Sequence, residues 1–187
     1  MRKLTYWVHQ SVDGFISGPN GEFDWPELTP ELTEYSYAVH EDVDTFLYGR
    51  VVWEFMSSFW PVAESIADDE HTRTFAPIWR KTPKVVISRT LEKADWNTTV
   101  IGGDLYAAVT ELKSRDGGGL LLNGGSKAAA ALTELGLIDE YIVMTHPVVL
   151  GGGQELFPRD ETRRKLNLAG SHVCDGRVVV SRYTPAG

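Results

Sequence analysis

Cysteine is nearly missing from this chain: Cys174 is the only one in 187 residues. No intrachain disulfide can form, and a cysteine-built zinc site is excluded. Cations are also scarce, with 18 Lys and Arg against 26 Asp and Glu and a formal charge of −8. That balance argues against nucleic acid or an anionic membrane as partner, because both demand dense basic patches. No stretch approaches the roughly 20 apolar residues that span a bilayer. The start, MRKLTYWVHQSVDG, lacks the apolar core and small-residue cleavage site of a secretion signal. A cytoplasmic protein is expected. Ligand spacing is wanting too: His9, His40, His71, His146 and His172 fall in no metal-binding pattern, so no metal is expected. His9, on the first strand, reads either as facing the cleft or as a satisfied core histidine, the second being favoured.

What is present suits a folded domain. Hydrophobic residues make up 42% and charged residues 24%, and this length buries a sizeable core. No repeat or low-complexity linker divides the chain, so residues 1–187 are read as one domain. Strands are expected over Leu4 to Val12, Thr45 to Tyr48, Lys84 to Ser88, Thr98 to Ile101, Leu120 to Leu122 and Glu140 to Leu150. Helices are expected over Pro30 to Val43, with Thr29 as N-cap, and over Val51 to Ser58, Asp68 to Arg80 and Leu105 to Ser114, the last capped by Asp104. Another runs from Gly124-Gly125-Ser126 through Leu135 and stops at Gly136. Glu64 to Glu70 reads as a solvated helix start. Late in the chain, Asp175-Gly176 between Val173-Cys174 and Arg177 to Tyr183 signals an antiparallel hairpin. The order predicts an α/β fold, a mixed sheet with helices on both faces.

The segment LLLNGGSKAAAALTELGLIDEY carries the most chemistry. An apolar strand followed at once by Gly124, Gly125, Ser126 and a helix exposes unpaired N–H groups at a positive dipole end, a natural seat for pyrophosphate. Glycine is read there as letting the phosphate approach the backbone. A P-loop is excluded because Gly125 stands where its lysine belongs. The Rossmann fingerprint fails because Asp139-Glu140 precede the following strand instead of ending it. Two more strand ends suit anions: Gly49-Arg50, and Ser88-Arg89-Thr90. A guanidinium meets phosphate bidentately, so Arg50 and Arg89 suit the 2′-phosphate that separates NADPH from NADH.

Taken together, SVDGFISGPNGEFDW, LYGRVVWEFM, KVVISRT and LLLNGGSKAAAALTELGLIDEYIVMTHPVVLGGGQELF span most of the chain. They resemble the family that joins dihydrofolate reductase to the reductase domain of the bifunctional riboflavin-biosynthesis deaminase–reductase, particularly its stand-alone bacterial members. The resemblance implies a three-layer, dihydrofolate-reductase-like sheet of about eight strands, a homodimer, and NADPH across the strand ends. Gly124, Gly125 and Ser126 would hold the pyrophosphate, and Gly49, Arg50, Ser88, Arg89 and Thr90 the adenosine phosphate. Gln10, Asp13 and Gly14 would line the substrate cleft, with Trp25 stacking on a flat heterocycle. The proton comes from solvent or a carboxyl group, with Asp13 and Asp24 the nearest candidates; buried, they would have raised pKa values suited to acid work.

Departures from the pattern are specific. Val52 stands where such reductases usually offer a threonine to the phosphate. Glu31 and Glu34 lie in the helix that carries the pterin-protonating carboxylate, but read equally as dipole partners. The riboflavin-pathway enzyme, a 5-amino-6-(5-phosphoribosylamino)uracil reductase, must hold a ribose phosphate, yet the Gly14 to Pro30 loop has no lysine or arginine. The function expected is NADPH-dependent reduction of a small heterocycle or carbonyl. The alternatives are a non-catalytic nucleotide-binding member of the fold and a dihydrofolate-type pterin reductase. The zinc-deaminase partner activity is excluded, because its Cys/His pattern is missing.

Overall fold

The structure, a computed structural model, describes residues 1–157 and 161–186. Its strands are β1 (Leu4–Ser11), β2 (Phe15–Ser17), β3 (Val43–Gly49), β4 (Lys84–Ile87), β5 (Thr98–Ile101), β6 (Gly119–Asn123), β7 (Glu140–His146), β8 (Gln154–Glu155), β9 (Leu166–Cys174) and β10 (Val178–Pro185). The helices are α1 (Pro30–Glu41), α2 (Arg50–Phe59), α3 (Ala63–Ile66), α4 (Glu70–Lys81), α5 (Leu105–Ser114) and α6 (Ser126–Glu134). An eight-stranded sheet in the order β5-β4-β3-β6-β1-β7-β10-β9 forms the middle layer, and β2 and β8 make a small separate ladder. The strands from β5 to β7 are parallel, while β10 runs antiparallel to both β7 and β9. No helix among the described residues is long and apolar enough to cross a membrane.

Period-two alternation in the strands splits the core in two. Leu4, Tyr6, Val8, Leu47, Leu120, Leu122, Tyr141 and Val143 face α5 and α6. Trp7, Phe46, Tyr48, Leu121, Ile142 and Met144 face α1, α2 and α4. Both faces of the sheet are therefore covered, as parallel strands with apolar residues on each side require. Thr29 caps α1 by accepting from Leu32 N, Asp69 caps α4, and Asp104 caps α5.

Several boundaries differ from expectation for local reasons. The strand expected through Leu150 stops at His146, because Pro147 has no N–H and Val148 N turns back to His146 O at 2.8 Å. Val43, expected to end a helix, opens β3 instead, in register with Gly119. The acids between Glu64 and Glu70 divide: Glu64 lies in α3, and Asp69 caps the next helix. β9 begins at Leu166, well before the hairpin expected from Val173, and is exposed along nearly all its length. Such an edge strand has no core face to mark it in sequence.

Candidate active site at the carboxyl-terminal strand ends

The parallel strands β4, β3, β6 and β1 are consecutive neighbours, so their carboxyl-terminal ends form one continuous edge. At roughly 4.8 Å per strand, that edge runs about 14 Å from β4 to β1. Gly124 (φ 60) and Gly125 (φ 79) both adopt the left-handed backbone that a side chain disfavours. The same turn closes on its neighbour: a Cβ on Gly125 would lie 3.4 Å from Val52 Cγ2 and 3.7 Å from Gly49 N. The glycines thus answer to backbone conformation and to the approach of the β3–α2 turn, besides leaving room for a ligand. Val52 packs into this contact in place of a hydroxyl donor.

The amides at this corner have different uses. Gly124 N–H donates to Trp7 O at 3.0 Å and extends the β1–β6 ladder, so it is not a ligand donor. This corrects its expected role. The first intrahelical bond of α6 is Ala129 N to Gly125 O, and no side chain caps the helix. The N–H groups of Ser126, Lys127 and Ala128 are left facing outward, as at any uncapped helix start. The Ser126 side chain is buried at this first turn. On the adjacent turn Gly49 caps α2, and Arg50 is its exposed first residue, with Nη1 donating to Glu54 Oε1 at 2.9 Å. One strand further out, buried Ser88 accepts from Thr90 N and Leu91 N at 3.2 and 3.0 Å. Its oxygen shapes the turn that presents Arg89. Arg89 and Thr90 are exposed.

At the β1 end the expected substrate residues do not come together. Gln10 points to the α5/α6 face, where Nε2 donates to Thr145 Oγ1 at 2.9 Å, and with Asp13 and Gly14 it borders a hollow of about 460 Å³. Trp25 lies on the opposite face, edge-on to His146 at 5.6 Å. Alternation along β7 thus sets Thr145, the partner of Gln10, and His146, the partner of Trp25, on opposite faces of the sheet. Asp13 is also corrected as a proton donor. Its exposed carboxylate accepts from Leu150 N and Gly151 N at 3.1 and 2.8 Å and fixes the loop after β7. The Ser11 hydroxyl and these amides hold its pKa below the usual carboxylate range, the reverse of what an acid catalyst needs. Asp24 is exposed, which removes the burial its acid role assumed. Glu31 is tied to the far hairpin through Asp175 N and His172.

What the sequence reading missed is a pair of histidines. Ser11 of β1 is in register with His146 of β7, so His9, two residues back on the same face, is its diagonal neighbour. His9 Nδ1 and His146 Nε2 lie 2.8 Å apart. On the other side of His146, Glu27 N–H donates to Nδ1 at 3.2 Å. That amide fixes both tautomers in series. His146 Nδ1 must be bare, so its proton sits on Nε2 and is donated to His9 Nδ1. The His9 proton is thereby placed on Nε2. Burial, and secondly the neighbouring His146, push the His9 pKa down to about 3, and burial lowers that of His146 against the pull of Glu27. The pair is neutral at physiological pH.

The family model of the RibD C-terminal domain matches residues 2–180. The chain belongs to the RibD C-terminal domain family. It is 31% identical over 182 residues, 97% of this chain and 94% of the other, to YyaP of Bacillus subtilis (strain 168), a protein described as uncharacterized. A putative riboflavin biosynthesis protein from Shewanella sp. PV-4 superposes with a TM-score of 0.77 at 22% identity, covering 99% of each chain. Dihydrofolate reductase from Enterococcus faecalis, solved with NADP(H), superposes with a TM-score of 0.64 at 14% identity, covering 99% of this chain and 97% of that one. The fold is dihydrofolate-reductase-like, a reductase-type architecture.

Within this RibD-type domain, no cluster of three or more His, Cys, Asp or Glu among the described residues is placed to hold a metal ion. The parity of His9 on β1 was legible in sequence. Its meeting with His146 was not, because inter-strand register lies outside any single strand's pattern.

Proposed function

We propose that this protein is an NADPH-dependent reductase of a small flat heterocycle. The observation that supports the reading is the close approach of Gly49 and Gly125, which brings the first turn of α2, opened by Arg50, against that of α6. Main-chain N–H groups of Ser126, Lys127 and Ala128 would grip a pyrophosphate, with Gly125 keeping the turn open. Arg50 would take the additional phosphate, exchanging Glu54 for it, and Arg89 with Thr90 would reach the same group from β4. The nicotinamide would then lie toward the β1 end, near His9, Phe23 and Trp25, and when bound it supplies hydride. The protein's task is to hold ring and acceptor carbon in register and keep water out.

Fluorescence and thermal-shift titrations with NADPH and NADH test this. NADPH is expected to bind at least tenfold tighter, and Arg50→Ala with Arg89→Ala to abolish the preference; equally weak binding of both nucleotides rejects the reading. One observation favours a nucleotide-binding member without turnover: Asp13, Asp24 and Glu31 all lack the buried, free carboxyl of an acid catalyst. An NADPH-consumption screen over aminopyrimidine ribosides, dihydropterins and simple carbonyls separates the two. A homodimer is part of the proposal. Edge strand β9, with Leu168 and Val173 exposed, is its candidate seam, checked by light scattering.

A further inference from the structure

We propose that His9 donates its Nε2 hydrogen to an acceptor on the substrate, and that the substrate is a flat, uncharged heterocycle carrying no phosphate. The proposal rests on the reductase reading for its location and deepens it by naming the substrate class. Three observations meet at this point. First, the tautomer series from Glu27 N through His146 leaves His9 with one donor, Nε2–H. No described residue bonds to that nitrogen, yet it is not among the buried, unpartnered atoms, so it opens to the surroundings. A neutral imidazole held in one tautomer is a directed donor suited to a carbonyl oxygen or a bare ring nitrogen.

Second, the walls are aromatic. Phe23 meets His9 edge-on at 6.2 Å, and Trp25 meets both His146 and Phe23 at 5.6 and 5.7 Å. Phe23 is nonetheless 44% exposed. An open ring beside an open donor makes a surface for stacking a planar ligand. Third, among the described residues the loop beside His9 offers no free positive charge to hold a phosphate. The flanking loop brings Glu22, Asp24 and Glu27 and no cation, and Arg177, which reaches it, is engaged by Glu27 at 2.9 Å. His172, from β9, is engaged by Glu31. The histidine pair itself remains uncharged. Position agrees with the nucleotide site: Trp7, two residues before His9 on the same face, receives the Gly124 amide. His9 would touch substrate; His146 and the Glu27 amide would be positioning groups acting through it.

Full-length protein with 15N-labelled histidine tests the idea, with uridine and uridine 5′-monophosphate as probes, both without and with NADPH. Both histidines are expected as Nε2–H tautomers, and His9 should not titrate between pH 5 and 8. Uridine should move the His9 Nε2 resonance and bind at least fivefold tighter than the monophosphate. His9→Phe should weaken uridine about tenfold, the worth of one hydrogen bond. His9→Gln, whose side-chain nitrogen can donate from the same place, should retain most of the binding. His146→Phe should release the His9 tautomer, a change that mere packing loss would not produce. A proton on His9 Nδ1, a His9 resonance unmoved by uridine, equal binding by His9→Phe, or preference for the monophosphate overturns the proposal. If NADPH fails to bind, the reductase reading falls, while the tautomer and uridine results on free protein still decide the role of His9.

Discussion

At the amino-terminal ends of the parallel strands, Arg2 pairs with Asp44, Lys3 and Arg182 both pair with Glu140 at 2.7 Å, and Lys113 pairs with Asp139 at 2.6 Å. At the carboxyl-terminal ends of the same strands there are outward amides, paired glycines, an exposed Arg89 and two neutral histidines. A hollow of about 480 Å³ lies at the first end, lined by Arg2, Tyr35, Gly118, Glu140 and Arg182. Its charges already satisfy one another. The second end, with a hollow of about 460 Å³ beside Gln10 and Asp13, keeps unengaged donors. Recognition follows unpaired polar groups, and closed ion pairs lock the fold.

The contrast can be broken most forcefully at Asp139. Its carboxylate accepts from Leu4 N and pairs with Lys113, whose ammonium is buried and otherwise held by Leu137 O. Asp139→Ala should cost about 3 kcal/mol in urea unfolding by stranding that cation, with NADPH affinity of the folded protein unchanged. At the opposite end, Gly125→Ala should cost about 1–2 kcal/mol through its left-handed backbone and weaken NADPH more than tenfold. A stability loss without a binding loss there would erase the distinction between the ends.

The histidine pair sharpens the contrast through pH. His9 has a folded pKa of about 3, against about 6.5 in an unfolded chain. Between those values the unfolded chain binds more protons, so this contribution is complete above about pH 6.5 and is lost as pH falls. The slope approaches about 1.4 kcal/mol per pH unit for one such group, and His146 acts in the same direction. Urea unfolding from pH 7 to 5 should show a shallower decline in His9→Gln than in the parent. The smallest effect is expected for Asp24→Asn, whose turnover should stay within twofold. A large loss would return Asp24 to the acid role.

Much of the architecture was legible because its signals are local. The run LLLNGG announces a buried strand and a tight turn, Thr29-Pro30 a helix start, and Asp175-Gly176 a hairpin, each decided by neighbouring residues. β2 and β8 were not legible, since two short strands in loops exist only by pairing with each other through Phe15 and Glu155. The phosphate-suited corner was half legible. Gly49 and Gly125 do meet, with Arg50 opening the adjoining helix, but the Gly124 N–H and the Ser88 oxygen serve backbone groups. The substrate end was misread, because Gln10 and Trp25 belong to opposite faces and Asp13 holds a loop.

By itself, the sequence determined the layered α/β class, most helices and strands, the family and the glycine-rich turn, all properties of short windows read by periodicity and turn chemistry. Tertiary structure alone decided which donors remain open and that His9 meets His146. Those facts depend on register between strands distant in the chain, and a shift of one residue would carry either imidazole to the other face of the sheet.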